Sequence, residues 1–286
     1  MSTPRVAAIH DLSGFGRCSL TVAIPILSAM GIQCCPVPTA FLSTHTGGFE
    51  GFTFLDMTDE LPKVTGHWQS LGLRFSAVYT GFLGSERQID LVSRFIRTFR
   101  APDTLVVVDP VLGDDGLAYR TCTPDLCAGM ARLAETADVI TPNLTEAAFL
   151  LNCGYEDLPR DRSGLEDVVR ELSLGGRRSV VLTGVSLTPG ATGAMCFDAA
   201  DGCITAVQTE FVSHPLLGTG DVFASVLTGA LVKGAPLEES ARQAAEFVRQ
   251  CARRTVAEGL PLREGVDFEP LLGLLVPPVP DEPDFS

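Results

Sequence analysis

The chain has 286 residues, of which 45% are hydrophobic, enough to bury a large α/β core. Its 21 Lys and Arg against 35 Asp and Glu leave a net charge of −14, which argues against nucleic acid or an anionic membrane as a partner held by counter-ion release. No apolar run is long enough to span a bilayer, the first residues lack a signal-peptide pattern, and the nine cysteines show no C-x-x-C pairing. A cytoplasmic chain with reduced thiols and no zinc site is expected.

In chain order, residues 5–9 read as a buried strand, with Asp11 in the polar stretch after it, and 19–30 as a helix containing Pro25. Residues 33–38 read as a second strand. The stretch 39–52, which carries Thr39, His45 and Thr46, reads as a loop or flap. A helix is expected over 58–71, then a strand from 77 that carries Tyr79 into a glycine-rich end. Ser85 stands where it can cap a helix over 86–99, whose Ile89, Val92, Phe95, Ile96 and Phe99 form one stripe. The run 104–108 is nearly all β-branched, the pattern of a central parallel strand, and it ends at Asp109-Pro110. Residues 124–135 read as a helix and 137–140 as a short strand. Thr141-Pro142-Asn143-Leu144-Thr145-Glu146 then opens the next helix. A helix over 164–174 and a strand over 179–182, ending in Thr183-Gly184, precede a hairpin of 193–197 with 203–208. A long amphipathic helix covers 237–257, and the Pro- and acid-rich 276–286 is expected to be a disordered tail.

Strand and helix alternate almost throughout. That pattern implies a single domain over 1–275 with a mostly parallel central sheet and helices on both faces. Asp11, Thr39, Tyr79, Asp109, Asn143 and Thr183 are then expected at the carboxyl edge of the sheet, where such folds bind ligands.

The strongest motif is Gly218-Thr219-Gly220-Asp221, directly before an apolar helical run that Gly234 ends. Free N–H groups at a helix N-terminus, with glycines that let an anion approach, make a phosphate site. Asp221 reads either as a plain helix cap or as a base beside that phosphate. Asp109 ends a buried strand, where a carboxylate is costly unless a cation or donors meet it; a structural turn is the other reading. Asn143 with Glu146 fits a capping box, or a pair that organises Mg²⁺ through water. Asp11, His45 and Thr46 are weaker alone, and His10, His67 and His214 read as structural. Neither a P-loop nor a G-x-S-x-G nucleophile motif is present.

Together, Asp109-Pro110-Val111-Leu112-Gly113-Asp114, Thr141-Pro142-Asn143-x-x-Glu146 and Gly218-Thr219-Gly220-Asp221 resemble the ribokinase-like superfamily, and within it the vitamin B6 kinases. The likeness runs over about residues 5–258. Ser43-Thr44-His45-Thr46-Gly47 looks like the substrate loop of pyridoxal kinases, whereas Asp11-x-Ser13-Gly14 is closer to hydroxymethylpyrimidine kinases. The resemblance implies ATP-dependent phosphorylation of a hydroxymethyl group, with Asp221 as base and Gly218, Thr219 and Gly220 as anion hole. Asn143 and Glu146 would organise Mg²⁺ and phosphates, and Asp109 and Thr141 a monovalent cation, K⁺ being the expected one, or the nucleotide. Thr183 would touch the nucleotide phosphates. Asp11, Thr39, His45, Thr46 and Tyr79 would line the pocket for the pyridine ring of a B6 vitamer. A homodimer is also implied. A vitamer or nucleotide sensor that kept the fold without the chemistry is the alternative of another class.

Overall fold

The computed structural model describes residues 3–119, 122–212 and 216–278. His214 and residues 279–286 of the tail lie outside them. The strands are β1 Arg5–Ser13, β2 Gln33–Leu42, β3 Phe54–Asp56, β4 Ala77–Thr80, β5 Leu105–Val108, β6 Gly113–Asp114, β7 Leu117–Ala118, β8 Val139–Ile140, β9 Ser179–Val185, β10 Ala191–Phe197 and β11 Ile204–Glu210. The helices are α1 Leu20–Ala29, α2 Leu61–Ser70, α3 Glu86–Phe99, α4 Pro124–Ala134, α5 Leu144–Leu151, α6 Arg162–Leu172, α7 Thr219–Val232 and α8 Leu237–Ala257.

Nine strands form one sheet in the order β11-β10-β9-β8-β5-β4-β1-β2-β3. The run from β9 to β2 is parallel, while β3 at one edge and β10–β11 at the other are antiparallel. This is the mostly parallel α/β sheet expected from the sequence.

The reason is legible in β5. Val106, Val107 and Val108 are all fully buried, because successive side chains point to opposite faces and both faces are covered. One face packs Ala7, Ile9, Val78, Val106 and Leu182 against apolar residues of α3, α4 and α6. The other packs Val6, Ala8, Tyr79, Val107 and Val181 against α1, α7 and α8. Helix α3 forms as its stripe and cap require: Ser85 Oγ accepts from Gln88 N at 3.3 Å, and Ile89, Val92, Phe95, Ile96 and Phe99 are all buried.

Several boundaries differ from expectation for one physical reason. Strands β1, β2 and β9 run past the apolar stretches because their neighbours continue to supply pairing partners. The β1–β2 ladder passes through an irregularity between His10 and Leu12 and continues to Ser13 and Leu42. Asp11, Thr39 and Thr183 therefore lie inside strands rather than in loops after them. Helix α2 starts at Leu61, three residues later than expected, with Pro62 accommodated in its first turn. The edge strand β3 and the two-residue strands β6 and β7 carry no periodicity long enough to read from sequence.

After α8, short 3₁₀ turns over Leu262–Glu264 and Glu269–Leu275 return to the start of the chain. There Arg17 N donates to Glu264 O at 2.9 Å, and the Arg17 guanidinium reaches Asp267 at 2.9 Å and Glu269 at 2.8 Å. Asp267 also accepts from Arg254 Nε at 2.7 Å, which ties α8 into the same knot.

Candidate active site

Helix α7 starts at the centre of the carboxyl edge. Gly218 precedes it in the left-handed conformation, with φ 77°. A Cβ at this position would stand 2.2 Å from the Arg17 carbonyl oxygen, so the turn accepts glycine and little else. At Gly220 the opposite holds: nothing lies within 4 Å of a Cβ, and the backbone faces open space. The first amides of α7 have no intrahelical partners and point to the cavity that this end of the helix lines. Asp221, at the third position of α7, has its carboxyl pushed up to about 7 from 3.8. Burial is the main cause and the nearby Asp11 charge adds to it, while the backbone amide of nearby Ser19 works against both.

The cavity has a volume of about 490 Å³. Its walls bring together Asp109, Thr141, Asn143, Glu146, Thr183 and the Gly218-Thr219-Gly220-Asp221 turn, all from separate parts of the chain. Asn143 caps α5: its Oδ1 accepts from Glu146 N at 2.9 Å, and Glu146 Oε2 accepts from Asn143 N at 2.8 Å. This is a complete capping box, so that reading of the motif holds structurally. Asn143 Nδ2 also donates to Gly113 O at 2.8 Å, and Glu146 Oε1 accepts from Leu112 N at 3.2 Å, which pins the loop after β5 to α5. Thr141 Oγ1 donates to Asp109 Oδ1 at 2.8 Å. Thr183 is tied to the β8–α5 junction, its N donating to Pro142 O at 2.8 Å.

Electrostatically the cavity is short of positive charge. The Asp109 carboxyl is pushed up to about 8, first by burial and then by Asp221, with Thr141 pulling the other way. Glu146 lies well above the usual carboxylate range, first through burial and then through Asp109. Among the described residues no Lys or Arg forms an ion pair with Asp109, Glu146 or Asp221. Three carboxylates in one cavity, Asp109 and Glu146 buried and Asp221 half-buried, attract a cation from solution. Among the described residues no group of three or more His, Cys, Asp or Glu forms a direct ligand set. Both Glu146 oxygens already accept backbone hydrogen bonds but keep a second lone pair. This donor chemistry fits a Mg²⁺ ion that retains its waters and shares phosphate ligands.

The residues expected around a substrate ring are placed differently. None of Asp11, Thr39, His45, Thr46 and Tyr79 is among the residues lining this cavity. Asp11 is buried, and its two carboxylate oxygens accept from Ser13 Oγ at 3.1 Å and Ser19 Oγ at 2.5 Å. Thr39 is buried in β2, and its carbonyl oxygen accepts from Gln88 Nε2 at 3.0 Å. Tyr79 is fully buried on the α7 face of the sheet, its hydroxyl 3.5 Å from Ser225 Oγ. His45 accepts from Gly47 N at Nδ1, 3.0 Å, and its Nε2 donates to Arg263 O at 2.8 Å. Thr46 is exposed on the same loop. That loop borders the Asp221 end of the cavity, since a Cβ on Gly47 would touch Leu217 Cδ1 at 3.0 Å. His10 is wholly buried edge-on to Tyr79, 4.4 Å between ring centroids, and burial holds its imidazole near 3, hence neutral.

Three features were not singled out from sequence. Ser19 lines the cavity beside Asp221. Tyr119, just after the β6–β7 hairpin, lines the cavity together with Asp114, the end of the Asp109–Asp114 motif already noted in the sequence. At the other end Phe223 with Ala245, Val248 and Ala252 of α8 form an apolar wall. The apolar stripe of α8 was visible, but not which part of it faced the cavity.

A nine-stranded, mostly parallel sheet with an anion-receptive helix N-terminus at its carboxyl edge, beside a group of carboxylates, defines a ribokinase-like kinase. The chain belongs to the phosphomethylpyrimidine kinase family, which it matches over residues 24–265. It is similar to a Bacteroides thetaiotaomicron protein that carries the phosphomethylpyrimidine kinase designation and was crystallised with pyridoxal: 43% identity, TM-score 0.91, covering 98% of each chain. It is also similar to the pyridoxal kinase of Lactobacillus plantarum, with 32% identity and TM-score 0.88 over 96% of this chain and 97% of that one. The pyridoxine/pyridoxal/pyridoxamine kinase of Bordetella bronchiseptica is 29% identical over 89% of this chain and 90% of its own length.

Proposed function

We propose that this kinase transfers the γ-phosphoryl group of ATP to the 5′-hydroxymethyl group of B6 vitamers, with Asp221 as general base. The observation that carries the reading is a carboxylate with a proton affinity near neutrality, at about 7, set at the open N-terminus of α7. A base is most effective when its pKa lies near the working pH. The amides from Gly218 to Asp221 hold the transferring phosphoryl, and the turn is rigid because Gly218 rests on Arg17. Asn143 and Glu146 would hold Mg²⁺ through water, with Asp109 and Thr141 set to hold a monovalent cation such as K⁺. When bound, these cations neutralise charge on the phosphates. Thr183 contacts the phosphates, and the wall of Phe223 and Val248 receives the adenine. His45 and Thr46, on the loop against Leu217, border the acceptor ring. The vitamer as acceptor is supported by the pyridoxal kinase of L. plantarum and the vitamer kinase of B. bronchiseptica.

A second reading, phosphorylation of hydroxymethylpyrimidine, is favoured by the family match and by Asp11-x-Ser13-Gly14. ADP release measured with pyridoxal, pyridoxine, pyridoxamine and hydroxymethylpyrimidine, each with and without K⁺, separates the two. Turnover on at least one vitamer that exceeds the pyrimidine tenfold or more is the expected result. The reverse order overturns the vitamer assignment, and tight vitamer binding without ADP release with ATP and Mg²⁺ makes the chain a sensor. A homodimer is part of this proposal and is checked by light scattering. No helix among the described residues is long and apolar enough to cross a membrane.

A further inference from the structure

We propose that Arg263 is a positioning residue for the acceptor: it pins the loop of residues 43–49, so that His45 offers the acceptor the face of its ring and no hydrogen bond. The inference rests on the reading of that loop as the border of the acceptor ring.

His45 is fixed from several sides. Its amide donates to Phe15 O at 3.3 Å. Gly47 N donates to His45 Nδ1 at 3.0 Å, so Nδ1 carries no proton, and Nε2–H donates to Arg263 O at 2.8 Å. Both ring nitrogens are therefore engaged within the protein. The ring rests on Gly16, which has φ 94° and where a Cβ would strike it. Phe49 stands edge-on to His45 with 5.0 Å between ring centroids, and Phe15 stands edge-on to Phe49 at 5.7 Å.

Arg263 closes this arrangement from outside. Its guanidinium carbon lies 5.1 Å from the centroid of the Phe49 ring, within the range of a cation–π contact. A Cβ on Gly48 would stand 3.3 Å from Arg263 Cβ, so the loop backbone lies close against the Arg263 stem. Thr46, Gly48 and Glu50 are exposed, and Gly47, Gly48 and Gly51 leave this stretch few side chains to hold it. Among the described residues Arg263 forms no ion pair, so replacing it strands no carboxylate.

The same turn also touches the start of α7. Glu264 O accepts from Arg17 N at 2.9 Å, and Val266 N donates to Leu217 O at 3.2 Å. Leu217 directly precedes Gly218, and its Cδ1 is the atom that a Cβ on Gly47 would meet at 3.0 Å. Residues 263–266 thus set the spacing between the loop and the phosphate end of the cavity. Unpinned, a glycine-rich loop is ordered only when the acceptor binds, and that ordering is taken from acceptor affinity. Nucleotide affinity has no share in it, because none of residues 43–49 lines the cavity.

The experiment compares the full chain with Arg263→Ala, Phe49→Leu and the double variant. It reads hydrogen exchange of the 43–49 amides without substrate, the KM for pyridoxal and for ATP in ADP release, and melting temperature. Arg263→Ala should speed exchange and raise the pyridoxal KM by about twofold to fivefold each, the size of a surface cation–π contact. Its kcat and its KM for ATP should stay within about 1.5-fold, with an unreduced melting temperature. In the Phe49→Leu background the further effect of Arg263→Ala should shrink below about 1.5-fold, because the guanidinium then has no ring to meet. Exchange raised less than about twofold overturns the pinning. Full additivity in the double variant, or an ATP KM that rises as far as the pyridoxal KM, overturns it in favour of general loosening. Faster exchange with an unchanged pyridoxal KM overturns it in another way: the loop is pinned as described, and the underlying reading of it as the acceptor border is what fails.

Discussion

Gly218→Ala is the sharpest perturbation of the site, because its two consequences can be worked out separately. The new methyl carbon would lie 2.2 Å from the Arg17 carbonyl oxygen, whereas ordinary contact needs roughly 1 Å more. Arg17 cannot easily withdraw, being held by Glu264 through its amide and by Asp267 and Glu269 through its side chain. The strain therefore moves into the first turn of α7. The left-handed backbone at φ 77° costs an alanine about 1–2 kcal/mol, and the overpacking costs about 1–3 kcal/mol. A loss of about 2–5 kcal/mol corresponds to roughly 4–10 °C in melting temperature for a chain of this size. A displacement of about 1 Å in groups that position a transferring phosphoryl lowers kcat/KM by about 10²-fold. Coupled ADP release and thermal denaturation measure both quantities. Gly220→Ala is the contrast: with nothing within 4 Å of its Cβ, it should melt no lower than wild type, and up to about 1 kcal/mol of helix propensity favours it. Its methyl would nonetheless project into the cavity beside the first amides of α7, where the proposed phosphoryl group sits, and should lower activity. If Gly218→Ala melts like wild type with kcat/KM within threefold, the reasoning about Arg17 as a rigid support is wrong.

Asp221→Asn should slow turnover by about 10²–10⁴-fold while leaving the fold intact, and turnover within threefold of wild type would refute the base assignment. The free enzyme should lose stability as pH rises, because Asp109 at about 8 and Asp221 at about 7 bind protons in the folded chain that the unfolded chain has released. That contribution is complete below about pH 4 and is lost through pH 7 and 8, so the melting temperature should fall between about pH 5 and 9 and Asp109→Asn should flatten the decline. A melting temperature that is flat or rising in the wild-type chain over that range would contradict the burial argument. Asn143→Ala removes the α5 cap and the bond to Gly113 O together, so it should cost about 1–2 kcal/mol and lower activity as well. Ser85→Ala removes an equivalent cap at a residue that does not line the cavity, so it should cost about 1 kcal/mol with kcat unchanged.

The contrast between those two caps also describes what the sequence made legible. Helices α3 and α8 were readable to the residue or nearly so, because a long stripe at helical spacing coincides with clear end signals. The α7 motif was readable because glycine and aspartate at a helix start have few other uses. What could not be read depended on neighbours distant in sequence. Strand β1 continues through Asp11 only because β2 lies beside it, and β6 pairs with β7 over two residues each. The carboxylate group Asp109, Glu146 and Asp221 could be guessed to share an edge, but its mutual electrostatic strain follows from burial that no local pattern carries. Asp11, Thr39 and Tyr79 were legible as polar residues near the carboxyl edge, yet whether each reaches the cavity wall is set by strand register and packing, and none of the three lines it. Ser19 left only the trace of a serine ahead of a helix.

The knot that Arg17 makes with Glu264, Asp267 and Glu269 joins residues about 250 positions apart. A ribosome makes the chain in one direction, and the parts that a folding domain needs become available in that order. The sheet, the carboxylates and α7 itself have all emerged before the segment that braces the turn under Gly218. A chain halted just after α8 would hold every residue that lines the cavity, but the start of α7 would rest on an untied turn. Competence in this kinase therefore waits for the last segment of the chain to be made.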